Sequence, residues 1–184
     1  MRYLLPLFLL VPTATLAHPG HDPAGGFASG LAHPLLGPDH LLAMLAIGGL
    51  AALLGGAARW AVPGGFLAGM LVFGMIGTGG ADSALAEHVI LASIIVLGAA
   101  MALALRPPLA VLLAFAAVFG AAHGYAHGAE GPGGAGYMAG FMLATAALHG
   151  AGFALAAWVA TRAAWLPRAT GGVLALAGTA LAVI

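Results

Sequence analysis

The few charged side chains of this chain leave six apolar stretches, each of about the length that crosses a bilayer: residues 34–54, 60–79, 85–105, 108–128, 135–160 and 167–184. Only 5% of the 184 residues are charged and 62% are hydrophobic, against roughly a quarter charged in ordinary globular domains. Such a chain could not cover a water-facing surface, so the bilayer is its solvent. In hydrocarbon each backbone group must be bonded within its own segment, which makes every stretch a helix. A β-barrel would need alternating polar and apolar residues, and the run 91–105 shows none. The expected fold is an all-α membrane protein, a polytopic bundle of six transmembrane helices, with residues 18–184 as one domain and no soluble domain or linker.

The first residues read as a secretory signal over 1–17. Arg2 gives the positive start, residues 4–11 the short apolar stretch, and Thr15, Leu16 and Ala17 a small-x-small cleavage site. Pro6, Pro12 and the shortness of the run argue against an uncleaved anchor. Cleavage would start the mature chain at His18, outside the membrane. Arg59 then joins spans one and two inside, Arg106 spans three and four, and Arg162 with Arg168 spans five and six. Asp22, Asp82, Glu87 and Glu130 fall on or near the other side, and Asp39 lies in the outer half of span one. Both termini are expected to be periplasmic, in a bacterial inner membrane.

Charge and composition also limit function. A net charge of zero and a pI near 7.1 argue against a nucleic-acid partner, and the absence of cysteine excludes disulfides, thiolate metal sites and Cys nucleophiles. No GxxxxGK[ST] loop is present, so ATP cannot drive the chain directly. There is no HExxH motif, and no enzymatic activity is expected. Gly65 with Gly69, Gly120 with Gly124 and Gly128, and Gly136 with Gly140 have the spacing that lets membrane helices approach closely. In span four the last two of these each follow a histidine, where they could also make room for a ligand.

The eight histidines are the anomaly. In HPLLGPDH, His33 and His40 stand seven residues apart, nearly the same face of a helix, beside Asp39. Pro34 and Pro38 admit instead a broken helix or re-entrant turn, as transporters build ion sites. In FGAAHGYAHGAE, His123 and His127 are i and i+4 on one face, a chelating spacing, with Glu130 three residues further. Thr145 and His149 repeat the i to i+4 step in span five. Ionisable residues inside spans are expensive and mark sites or pathways. Imidazole and carboxylate without thiolate suit nickel, cobalt or zinc better than copper(I). Met44, Met138 and Met142 are read as core packing, Glu87 and His88 as an interfacial cap, Asp82 as a solvated loop residue. His18, His21 and Asp22 could form a capture tail at the membrane surface.

HPLLGPDH, FGAAHGYAHGAE and LATAALHGAG resemble the HupE/UreJ family of small bacterial membrane proteins over essentially the whole mature chain. The resemblance implies a secondary permease for nickel, sometimes cobalt, supplying hydrogenase or urease. By the same motifs it implies His33, Asp39, His40, His123, His127 and Glu130 as functional residues. The metal would be cargo, not a cofactor; the other partner is the lipid bilayer, and a homo-oligomer is compatible. A metal-binding accessory or sensor protein and a haem-binding electron carrier are the competing readings. The i to i+4 pair disfavours haem, whose two axial ligands approach from opposite faces. Imidazoles must be deprotonated to bind metal, so uptake should fall as pH drops through about 6.5; metal accumulation measured between pH 5 and 7.5 checks this.

Overall fold

The computed structural model describes residues 25–78, 83–131 and 133–183. The signal sequence, the start at His18, the tail residues His18, His21 and Asp22, and the loop residue Asp82 lie outside them. Among the described residues there are seven helices and no strand: α1 (Gly25–Leu36), α2 (Pro38–Leu54), α3 (Ala58–Gly77), α4 (Ala84–Ala102), α5 (Leu109–Glu130), α6 (Gly134–Ala160) and α7 (Leu166–Leu181). Helices α3 to α6 are each long and apolar enough to cross a membrane. Their bounds lie within three residues of the second to fifth expected spans, because apolar runs closed by Gly, Pro or Arg leave little freedom in placing a helix.

The two ends of the span map differ from expectation. The first stretch is not one helix on which His33 and His40 share a face. It breaks at Gly37, which is extended (φ −91, ψ 115) and precedes Pro38 at the start of α2; α1 and α2 meet at 83° and make one span only if the bent pair is counted together. Proline lacks the N–H that would continue the ladder, and its ring keeps the preceding residue out of helical space. The last stretch forms α7, but at 16 residues it reaches about 24 Å, short of the ~30 Å hydrocarbon core. The described helices thus give four spans, or five with the bent pair, and fit a multi-pass membrane protein.

Glycine decides which helices touch. A Cβ on Gly120, Gly124 or Gly128 of α5 would collide with the carbonyl of Phe66, Met70 or Gly74 on α3, and one on Gly69 or Gly77 with Ala117 or Tyr125 on α5. Gly48 and Gly152 join α2 to α6 through the carbonyls of His149 and Leu45, while Gly30 and Gly140 join α1 to α6 through those of Tyr137 and Phe27. Gly98 and Gly171 do the same for α4 and α7. The space beside Gly124 is therefore taken by α3, whereas Gly128, though it also seats an α3 carbonyl, lines a cavity beside His127. Gly65 and Gly136 meet their neighbours at ordinary or slightly tight distances and do not carry a backbone contact of this kind.

The arginines gather at the end of the bundle where α2, α4 and α6 finish. Arg106 Nη2 donates to the Leu53 carbonyl (3.4 Å) and Arg168 Nε to the Ala102 carbonyl (3.0 Å), satisfying acceptors that a helix C-terminus leaves open. The Arg162 guanidinium lies 4.7 Å from the centre of the Trp158 ring. Gly48→Leu and Gly124→Leu should each destabilise the protein by about 3 kcal/mol or more, the upper range for overpacking. Gly64→Leu and Gly150→Leu, where a side chain meets nothing within 4 Å, should leave thermal unfolding in detergent unchanged.

Candidate metal centre

The break at Gly37 turns the chain by 83° between α1 and α2. Asp39, in the first turn of α2, accepts the His40 backbone N–H on Oδ1 at 2.9 Å. The same oxygen lies 2.8 Å from His40 Nδ1, within ion-pair reach but out of hydrogen-bond alignment. On α5 the glycines at 120, 124 and 128 lie against α3, and His123 and His127 are fully buried. The bend brings His33 to His127, with ring centroids 4.6 Å apart, and His40 to both members of the α5 pair, at 4.2 Å from His127 and 5.3 Å from His123. His33 and His40 are themselves 6.4 Å apart. Four histidines far apart in sequence thus form one group built from α1, α2 and α5.

Helix α6 supplies an aromatic wall. Phe141 lies 4.3 Å from the His127 ring and Tyr137 5.9 Å from the His33 ring, the two wall rings being nearly parallel to each other. A cavity of about 480 Å³ reaches His127 between α3, α5 and α6, lined among others by Met75, Tyr137, Met138 and Met142. Sequence reasoning did not single out Tyr137 or Phe141, since aromatic residues in a span carry no signal that separates a site wall from core. Met44 is fully buried in the main hydrophobic core, in line with its reading as packing.

The donor atoms are what set this group apart from an ordinary polar seam. His123 Nδ1 lies 2.8 Å from the Phe119 carbonyl; a carbonyl only accepts, so Nδ1 carries the proton and Nε2 presents a lone pair. Among the described residues, His40 Nε2, His123 Nε2 and both ring nitrogens of His127 and His149 are buried without a partner, while His40 Nδ1 has the Asp39 carboxylate beside it. Buried polar atoms are nearly always satisfied, and each exception calls for an explanation. In the conformation described, no three carboxylates or imidazoles among the described residues converge on a point that an ion could occupy. The reason is geometric. Two imidazole nitrogens about 2.1 Å from one tetrahedral ion space their ring centres by roughly 5 Å, whereas the His40 and His127 rings pack edge to face at 4.2 Å. Small ring rotations would be needed to turn donors inward.

Glu130 ends α5, one turn beyond His127. His149 is buried on α6, and its ring lies 5.1 Å from Phe66, whose ring is also 5.0 Å from that of His123. Thr145, one turn before His149, donates to Met70 Sδ at 3.8 Å. His88 Nδ1 bonds the Ala84 carbonyl at 2.6 Å, a contact within the first turn of α4.

A family profile described as HupE / UreJ protein matches residues 6–181. Among curated proteins the chain is similar to Protein HupE of Rhizobium leguminosarum bv. viciae, 38% identical over 179 residues, which covers 95% of this chain and 93% of that relative. No solved structure matches the chain. Because Asp39 holds the start of α2 beside His40, Asp39→Asn should weaken cobalt(II) binding by about 10- to 100-fold without altering the helical circular dichroism. Titration of the visible cobalt absorption of the purified protein measures it.

Proposed function

Since the chain belongs to the HupE/UreJ family, we propose that it is a secondary permease that takes a divalent transition metal, nickel first, into a bacterial cell across the inner membrane. The observation that carries this reading is the set of buried imidazole nitrogens without partners in a bundle that otherwise avoids polarity. A network that served only to glue helices would use its donors and acceptors on one another. Nitrogens left open at the meeting of three helices suit an incoming cation, and imidazole with carboxylate suits nickel, cobalt or zinc.

In this reading the tail residues His18, His21 and Asp22 and the helix-end residue Glu130 capture the hydrated ion at the periplasmic side. The cavity beside His127 leads it inward. His33, His40, His123 and His127 replace its water, with Asp39 supplying the compensating negative charge and orienting His40. His149 receives it next. The chain offers no nucleotide-binding loop, so the ion moves down its own gradient or with a coupled ion, toward a nickel enzyme such as hydrogenase or urease. No enzymatic step is required.

Nickel and cobalt accumulation in cells expressing the wild type, His40→Ala or His123→Ala tests the assignment. The wild type should raise accumulation several-fold over cells lacking the protein, and each variant should fall to within about twofold of that background, as expected for loss of a chelating ligand. Metal bound by the purified wild type without accumulation in cells would favour the accessory or sensor reading instead.

A further inference from the structure

Ring contacts form a sequence through the bundle. From His33 the centroids step to His127 (4.6 Å), His40 (4.2 Å) and His123 (5.3 Å), and then to Phe66 (5.0 Å) and His149 (5.1 Å). Phe66 is the one member that has no lone pair to offer. It is fully buried within the main core, and its ring touches both imidazoles, His123 of α5 at 5.0 Å and His149 of α6 at 5.1 Å. An ion passing from His123 to His149 along these contacts meets an apolar ring, and an aromatic ring cannot replace a lost ligand.

The packing also says which parts can move past one another. Glycine contacts of backbone on backbone join α3 to α5, and join α1 and α2 to α6. Among the described glycines none makes such a contact between these two groups; across that boundary Gly74 of α3 meets the flexible end of Met138, and Gly131 at the end of α5 meets the Tyr137 ring. Phe66, His123 and His127 ride on the first group, and His33, His40 and His149 on the second. A carbonyl seated on glycine resists sliding, whereas an interface of side chains can repack. Relative motion of the two groups would shift His149 past the Phe66 ring while Phe66 stays beside His123.

We propose that Phe66 is the gate between two metal stations, the four-histidine group and His149, and that it opens when the α3–α5 pair rocks against α1, α2 and α6. This rests on the permease reading and gives the path its closed point. The test uses the full-length protein in proteoliposomes with a metal-quenched dye trapped inside, together with nickel binding to the same proteins in detergent. Phe66→Ala should pass nickel about tenfold faster, as for removal of a rate-setting gate, and should admit magnesium, which the wild type should exclude. Phe66→Trp should pass nickel about tenfold more slowly. Both should bind nickel at the four-histidine group with wild-type affinity. Nickel flux within twofold of wild type for a folded Phe66→Ala would overturn the gate, and so would unchanged flux for Phe66→Trp, a variant that leaves no cavity if the alanine variant does not fold. A wild-type protein that neither binds nor carries nickel would instead overturn the permease reading, so the two failures are distinguishable.

Discussion

Inside a bilayer there is no water to expel from between two helices, and association rests on how closely backbones can meet. In this bundle the contact that sets everything else is a carbonyl of one helix lying on a glycine of another: Phe66 on Gly120, Met70 on Gly124, Gly74 on Gly128. Where α3 lies on α5 in this way, the α5 histidines lie elsewhere on the helix. The same contact made by Gly48 and Gly152 presses α6 on α2 and brings Phe141 beside His127. The imidazole group is thus a by-product of which faces are small enough to touch.

The second constraint is that a helix broken within a membrane must have its freed backbone groups met by something other than water. Gly37 and Pro38 make that break, and the Asp39 carboxylate answers it by accepting the His40 N–H. The break is also what brings a histidine of α1 against one of α5. A continuous helix through residues 33–40 would have stacked His33 and His40 a full seven residues apart and left His127 without its neighbour.

Much of the fold was legible in the apolar runs, since a stretch of about 20 residues without charge has few alternatives in hydrocarbon. The pairing of His123 with His127 was legible as well, because the i to i+4 step is a property of the helix alone. The size of the bend at Gly37 was not, because prolines announce an interruption and only packing on α6 sets its angle. Helix α7 was overextended because the run after Pro167 stays apolar past Leu181, where the helix ends. Gly124 misled in the same manner: a glycine beside a histidine reads as space for a ligand until a neighbouring carbonyl is seen to fill it, whereas Gly128 does line the cavity beside His127. Phe66 was invisible, one apolar residue among many, and its place depends on α3, α5 and α6 meeting at once.

The break has an electrostatic consequence as well. It turns the amino end of α2 toward the histidines, and the aligned peptide dipoles place about half a positive charge there, a poor neighbour for a cation. Asp39 in the first turn more than cancels it. The balance of one carboxylate against one helix end leaves only a shallow negative well; in the proposed permease reading, a shallow well suits a site that must let go of what it holds, since conduction requires binding strong enough to enter and weak enough to leave.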